Sequence, residues 1–167
     1  MEVYLRDHFA GATAGLALAR RCRRNNAGTG LDAELAGIET EIDEDRRRLQ
    51  AMMSRLGVAP SPLKSTLGSF AELVGRLKGN GRIVRPSPVS PVVELEGLAA
   101  GIVTKRNLWR SLRVAAPNHG GLDIAELDLL EERATSQLAR VTTAHDRAAE
   151  GAFGPPVRSV TASELAS

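Results

Sequence analysis

The chain has 167 residues, which is enough for one domain with a buried core and too few for two ordinary domains with a linker. Hydrophobic residues make up 43% of the chain and aromatic residues only 3%, so Leu, Ile, Val and Ala must build the core, and helix packing is favoured over a β-sandwich. Acidic and basic residues are interspersed and leave a net charge of +2, which disfavours nucleic acid as a partner.

The cysteine content and the N-terminal sequence bear on the compartment. Cys22 is the only cysteine, which excludes an internal disulfide and an all-cysteine metal site and fits a reducing compartment. The N-terminal residues lack the basic and apolar regions of a secretory signal. The uncharged stretch from Phe9 to Ala19 is too short to cross a bilayer, which takes roughly 20 residues. We therefore expect a cytoplasmic protein without a membrane span.

Two long helices are predicted first. One runs from about Glu2 to Arg24 and ends at Asn25–Gly28, because Asn and Gly adopt the left-handed conformation that stops a helix. The next opens with a capping box at Thr29–Asp32 and closes at Leu56–Gly57. Its apolar seam alternates steps of four and three residues and skips only Asp45, which indicates packing along its whole length. The seam residues are Leu31, Leu35, Ile38, Ile42, Leu49, Met52 and Leu56.

Ser-Pro pairs predict the starts of two further helices, with the serine as the N-cap and the proline as the first helical residue. The pair Ser61-Pro62 begins a short helix that ends at Lys78-Gly79, and residues 79–88 form a loop. The pair Ser90-Pro91 begins a long helix that runs to about Ala116. The seam of this long helix skips Lys105 and contains Leu95, Leu98, Ile102, Trp109 and Leu112.

The last predicted helix starts at Asp123, whose cap is supported by Glu126. Its seam skips Gln137 and contains Leu127, Leu130, Ala134, Val141, Ala144 and Ala148. The Pro-, Ser- and Thr-rich stretch 151–167 is expected to form a disordered C-terminal tail.

These elements predict an all-α, ferritin-like four-helix bundle over residues 1–150. Short connections make neighbouring helices antiparallel, so the four long helices form two antiparallel hairpins. The long connection between Gly57 and Ser90 then serves as the crossover, with an additional short helix inside it.

Three segments carry a family resemblance: the stretch from Tyr4 to Gly15, the stretch Leu95–Leu98 and the stretch Trp109–Leu112. They resemble uncharacterised bacterial proteins of the ferritin-like class that are common in actinobacteria, over residues 3–150. The resemblance implies the fold and carries over no activity, cofactor or functional residue. Within the first segment, Gly11 and Gly15 are four residues apart, and we interpret them as a close helix crossing rather than a dimerisation motif.

The iron motif of ferritin-like proteins is missing from the sequence. Di-iron bundles use Glu-x-x-His on two of their helices. The residues three positions before the histidines at 8, 119 and 145 are Leu5, Ala116 and Thr142. We therefore assign no catalytic residue, no metal ligand and no cofactor.

The polar residues at the skipped seam positions are the candidate site. His8 falls opposite Asp45 if the first two helices mirror about Asn26, and Lys105 and Gln137 lie at a similar height. We favour the interpretation that they form a buried polar layer that fixes helix register. The alternative is an altered metal or small-ligand site, against which Lys105 argues because its ammonium would take the position of a cation.

Three functions remain open. The first is a non-catalytic bundle that acts through protein contacts, including those of a homo-oligomer. The second is a divergent metal or small-ligand binder that uses His8 and Asp45. The third is a weak nucleic-acid binder that uses Arg20–Arg24 and Arg46–Arg48, although positive charge at the end of the first helix already complements its dipole. Two smaller features, a cluster of Glu94 or Glu96 with His145 and a lowered pKa of Cys22 among arginines, are disfavoured.

Overall fold

The computed structural model describes residues 1–60 and 89–155. Within these ranges the chain is helical and contains no strand, which confirms the all-α class for this part of the chain. The helices are α1 (Glu2–Asn25), α2 (Asp32–Arg55), α3 (Ser90–Ala115) and α4 (Ile124–Phe153), with a turn of 3-10 helix at Ala116–Asn118. The short helix predicted from Ser61 and the loop after it lie outside the described residues, as does the tail beyond residue 155.

The predicted cap of α4 is confirmed. Asp123 has an extended backbone, and its Oδ1 accepts hydrogen bonds from the backbone N–H groups of Ala125 at 2.9 Å and Glu126 at 3.5 Å. These bonds satisfy two of the N–H groups that the first turn of a helix leaves without partners. At the other end α4 reaches Phe153, so the first three residues of the predicted tail are helical.

The predicted caps of α2 and α3 are wrong by a few residues. Thr29 Oγ1 accepts from the N–H of Leu31, and Asp32 accepts from the N–H of Gly28, so both side chains stabilise the turn before α2 and form no capping box. The helix α3 begins at Ser90 with Val89 in the cap position, one residue earlier than predicted. Side-chain hydrogen bonds of short polar residues have several local alternatives, and the sequence motif does not choose among them.

The two turns that end α1 and α2 use glycine in the left-handed region. Gly28 has a φ of 75° and Gly57 a φ of 69°. Only glycine takes this conformation without a steric penalty from Cβ. Asn26, by contrast, has a φ of −112°, and its side-chain amide donates to the carbonyl of Cys22 at 2.7 Å. The predicted left-handed stop after α1 is therefore made by Gly28, not by Asn26.

The contacts that charged side chains make between helices give the helix directions. Arg6 donates to the carbonyl of Ala59, so the start of α1 lies beside the end of α2, and the two helices are antiparallel. Arg21 pairs with Glu94 at 2.7 Å, which brings the end of α1 to the start of α3. Along α3 and α4, Glu96 faces His145. The helices α1 and α4 therefore run in one direction, and α2 and α3 run in the other.

The predicted seams form the hydrophobic core. Among the large side chains that are fully buried are Leu35, Ile38, Leu49, Met52, Leu95, Leu98, Ile102, Trp109 and Leu112. From α4 the core receives Leu127, Leu130, Ala134, Val141 and Ala144. Three helices thus bury one stripe each, at the spacing of a shallow helix crossing. In residues 1–60 and 89–155, no helix combines the length and apolarity that a membrane crossing requires.

Candidate functional site

Three of the four polar residues predicted for the site meet in the middle of the bundle. Asp45 of α2 is 1% exposed, and Gln137 of α4 is fully buried. The Lys105 ammonium of α3 lies between them and donates to Asp45 Oδ2 at 2.5 Å and to Gln137 Oε1 at 2.5 Å. Each residue takes the place of an apolar one in an otherwise regular seam. The three lie at the same level along the bundle and contact one another.

Arg133 of α4 completes this arrangement, and the sequence interpretation missed it. Its guanidinium forms an ion pair with Asp45 Oδ1, although the angle is not that of a hydrogen bond. A second ion pair joins it to Glu44 at 3.1 Å. We call Asp45, Lys105, Gln137 and Arg133 the polar layer. Both oxygens of the buried carboxylate therefore face cations of the chain itself.

The amide of Gln137 links the polar layer to a second carboxylate. Its Nε2 donates to Glu41 at 3.0 Å and to Asp45 Oδ2 at 3.3 Å, while its oxygen accepts from Lys105. All the hydrogen-bonding groups of this side chain have partners. Burial lowers the pKa of Lys105, and the neighbouring Asp45 carboxylate opposes that shift.

His8 lies near the polar layer but is not bonded to it. Its ring packs against Tyr4 with the centroids 4.4 Å apart, and it lines the cavity that Asp45 and Lys105 also line. The hydrogen bonds within residues 1–60 and 89–155 include none between His8 and Asp45. Burial lowers the pKa of His8, and Asp7 opposes this. His8 therefore lies on the same cavity as Asp45, and the contact with Asp45 that we predicted is absent from the described hydrogen bonds and ion pairs.

A ladder of ion pairs joins α2 to α4 on either side of the polar layer. Its residues recur every seven positions: Glu34, Glu41, Arg48 and Arg55 on α2, and Glu126, Arg133 and Arg140 on α4. Arg140 pairs with Glu41 and reaches Glu34 at 3.6 Å, whereas Arg55 pairs with Glu126 at 2.6 Å. We call this the charged seam. Its acidic and basic halves are complementary only when the helices are antiparallel.

The donor set does not fit a metal ion. Among the described residues, no group of three or more His, Cys, Asp or Glu side chains could hold a metal. In the polar layer the Lys105 ammonium already lies against the buried carboxylate of Asp45. A divalent cation in the polar layer would meet the repulsion of both Lys105 and Arg133.

The two arginine clusters are largely neutralised by neighbouring carboxylates. At the end of α1, Arg20 and Arg23 pair with Glu39, and Arg21 pairs with Glu94. On α2 the three consecutive arginines Arg46, Arg47 and Arg48 pair with Asp43 and Glu44. These pairs reduce the positive charge that would be available to a nucleic-acid backbone.

The smaller candidate cluster, Glu94 or Glu96 with His145, does not come together at one place. His145 lies 3.5 Å from Glu96, whereas Glu94 is buried and accepts from Arg21 and Asn25 at the end of α1.

Burial and the nearby Glu94 carboxylate raise the pKa of Cys22 to about 12. The thiol is therefore held protonated, opposite to the activation that its arginine neighbours suggest.

A cavity of about 60 Å³ adjoins the polar layer. It lies among α1, α2 and α3, and its walls are mostly apolar, with Leu18, Ile42 and Trp109 among them. Small residues line one side of it: Gly11, Ala12 and Gly15 of α1, and Gly97 and Gly101 of α3. The cavity reaches Asp45 and Lys105 at its polar end.

Gly15 does not lie at the close helix crossing that we predicted for Gly11 and Gly15. A Cβ placed on Gly15 would have no described atom within 4 Å, and the same holds for Gly101. These positions therefore border open space instead of another backbone. A small residue is needed in either case, so its presence in the sequence cannot distinguish a contact from a gap.

We expect Gly15→Ala and Gly101→Ala each to raise the free energy of unfolding by up to about 1 kcal/mol, because glycine is that much worse than alanine inside a helix and the new methyl group has room. Gly121→Ala is the matched contrast, since its Cβ would lie 2.9 Å from Leu56 Cδ2 and 3.3 Å from the Arg55 carbonyl oxygen. We expect that variant to lose about 1–3 kcal/mol. Urea denaturation measures all three, and a loss for Gly15→Ala would contradict the open space.

Comparison with known proteins adds no assignment. No family model, curated protein or solved structure matches the chain.

Proposed function

We propose that this chain is a non-catalytic, cytoplasmic bundle of the ferritin-like kind that acts through protein contacts, with self-association as their first form. The observation that carries the proposal is the internal neutralisation of Asp45. Lys105 and Arg133 occupy the positions where a cation would have to bind. The centre of the bundle then serves to fix how the helices pair, and the outer surfaces remain for function.

The ferritin-like part of the proposal rests on helix direction. Two antiparallel hairpins whose second and third long helices run parallel require a long connection between them. The ion pairs described above give these directions, and 34 residues separate the end of α2 from the start of α3. The polar layer supports the same pairing because it joins α2, α3 and α4 at a single height.

A stripe on the outer face of α4 is the contact surface that we favour. Five exposed residues without charge recur on it at helical spacing: Ala125, Leu129, Ser136, Ala139 and Thr143. Leu129 is 68% exposed. The stripe repeats the steps of four and seven residues that allow one helix to pack along another. A large aliphatic side chain among small residues is typical of such a contact.

A second copy of the chain is the occupant that fits the stripe. Glu132 lies within the stripe, between Leu129 and Ser136, and Arg147 continues it four residues after Thr143. Both are exposed and have no ion-pair partner within residues 1–60 and 89–155. In a two-fold contact each copy presents the same surface, so each supplies one acid and one base to the other. Opposite charges that pair across such an interface favour association and set its orientation.

Light scattering coupled to size-exclusion chromatography tests this proposal over a range of concentrations. We expect the mass to rise from 17.8 kDa towards twice that value, and Leu129→Glu to keep the chain monomeric. Thr142→Glu, which adds the same charge on another exposed face of α4, is the matched control and should still associate. A monomer at every concentration, or equal effects of the two variants, would contradict self-association through the stripe.

A further inference from the structure

The cavity beside the polar layer opens onto the surface between α1 and α3. Thr104 on its border is exposed, and the glycines on its border are partly exposed. Two rows of residues at steps of three and four border it: His8, Gly11, Gly15 and Leu18 on α1, and Gly97, Gly101, Thr104 and Leu108 on α3. We call these two rows the α1–α3 groove. Half of its residues are glycine, so large side chains that approach from outside would find room between the helices.

The helix segments that border the groove carry no charge. On α1 the uncharged segment runs from Phe9 to Ala19, and on α3 from Gly97 to Thr104. Charged residues make up 25% of the whole chain, and helix faces that meet water normally carry them. Uncharged rows at steps of three and four are typical of a surface on which another helix packs. The described residues place no helix in the groove.

The connection between α2 and α3 has its two ends at opposite ends of α1. Near the start of α1, Arg6 donates to the carbonyl of Ala59 at 3.0 Å. Near the end of α1, Arg21 pairs with Glu94 in the first turns of α3. A helix rises about 22 Å between positions 6 and 21. The connection must therefore run most of the length of the bundle.

The helix order gives the side on which this connection runs. In the described ranges α1 packs against both α2 and α3. Arg6 holds Ala59 beside α1, so the connection leaves α2 on the side that α1 occupies. From there the shortest path to Ser90 follows α1 and reaches α3 across the α1–α3 groove. The length of the connection and the positions of its ends therefore favour this segment of the chain as the occupant of the groove.

The sequence of the connection fits this occupancy, although the segment lies outside the described residues. Its large apolar residues recur at steps of four and three, as the groove residues do: Leu63, Leu67, Phe70, Val74 and Leu77. A helix over residues 61–78 would be about 27 Å long, which is enough for the 22 Å or so between the two ends. We propose that residues 61–78 pack in the α1–α3 groove as an amphipathic helix parallel to α1. Its apolar row lies against the glycines of both helices.

This contact uses α1 and α3 and is independent of the proposed self-association, which uses α4. It also fixes which residues lie at the same level along the bundle. Leu63 lies at the level of His8, near the start of α1. Val74 lies at the level of Gly97, near the start of α3. A helix packed in the opposite direction would exchange these two neighbours.

Disulfide trapping in a Cys22→Ala background tests the contact and its direction. We expect two pairs to form a disulfide within one chain: Leu63→Cys with His8→Cys, and Val74→Cys with Gly97→Cys. Under mild oxidation each should close roughly ten times faster than the exchanged pairs, because only cysteines held close together can form the bond. The exchanged pairs, Leu63→Cys with Gly97→Cys and Val74→Cys with His8→Cys, use the same four positions and are the matched controls.

Peptide mapping by mass spectrometry identifies the bonds, and each expected pair is a test by itself if the other folds poorly. Equal rates for the expected and exchanged pairs would show that the segment has no fixed place in the groove. Faster closure of the exchanged pairs would reverse its direction. Disulfides that form only between two chains would assign the groove to a second copy. Each of these three results would overturn the proposal.

A labelling experiment probes the groove itself in the same background. Gly101→Cys places a thiol in the groove, where a Cβ meets no described atom within 4 Å. We expect Phe70→Asp to make this thiol react with iodoacetamide roughly tenfold faster, because a charge in the apolar row releases the segment and gives the reagent access. Ser69→Asp adds the same charge beside the row and should leave the rate unchanged. Equal rates in the two variants would contradict the proposed packing, and circular dichroism checks that the bundle stays folded.

Discussion

Replacing Asp45 with asparagine is expected to lower the free energy of unfolding by about 3 kcal/mol. Removing one partner of a buried ion pair typically costs about 3–5 kcal/mol, because it leaves the other charge without compensation. Here Lys105 would keep only uncharged acceptors, among them the amide oxygen of Gln137, in place of its carboxylate partner. Arg133 still has Glu44, which puts the expected loss at the lower end of that range.

Urea denaturation at neutral pH measures this loss, and Asp43→Asn is its matched control. Asp43 lies two residues away on the same helix and pairs with Arg46 and Arg47 near the surface. Exposed pairs contribute little to stability, because water and salt screen them. We expect the Asp43 variant to lose at most a third of what the Asp45 variant loses. Similar losses would mean that burial of the polar layer has no special effect.

Cys22 is expected to react with iodoacetamide on the order of 1,000 times more slowly in the folded protein than in the unfolded chain at pH 8. The thiolate is the reactive form, and burial raises the pKa of Cys22 from 9.0 to about 12, which lowers the thiolate fraction by about three powers of ten. Mass spectrometry with and without urea measures both rates. Rates within tenfold of each other would contradict the buried, protonated thiol.

The same shift predicts how stability depends on pH. A pKa that is higher in the folded state gives stability that is complete below the unfolded value of 9.0 and is lost as the pH rises towards about 12. Lys105 acts in the opposite direction, because its lowered pKa makes deprotonation favour folding. Comparing wild type with Cys22→Ala at equal pH cancels the contribution of Lys105, and the variant should lose less stability between pH 9 and 12.

The polar layer was largely predictable, because regular seams reveal their own interruptions. Asp45, Lys105 and Gln137 stand where steps of four and three residues require an apolar side chain. A short turn fixes which residues of the two helices in a hairpin lie at the same level along the bundle. Skipped positions on neighbouring helices can therefore meet. His8 lines the same cavity as Asp45, but its ring packs on Tyr4. Periodicity in the sequence does not show which of two neighbouring residues a side chain will contact.

The contribution of Arg133 was missed because it occupies a position beside the seam. It precedes Ala134, a core residue, and its long side chain reaches back to Asp45. A signal was nevertheless present. Glu126, Arg133 and Arg140 recur every seven residues, as do Glu34, Glu41, Arg48 and Arg55. Opposite charges at heptad spacing on two helices predict a charged seam once the helices are known to be antiparallel.

The Asp45→Leu, Lys105→Met double variant tests the central claim most directly, that the polar layer is a structural device complete within the chain. Replacing both partners of a buried ion pair with apolar residues of similar size is often neutral or stabilising, since neither charge is left unpaired. The double variant also leaves the buried amide oxygen of Gln137 without its donor, which costs about 1–3 kcal/mol. We therefore predict that it regains part of the stability lost by Asp45→Asn and comes within about 2 kcal/mol of wild type. If the double variant is less stable than Asp45→Asn, the charges of Asp45 and Lys105 do not balance each other within the chain, and the central claim is wrong.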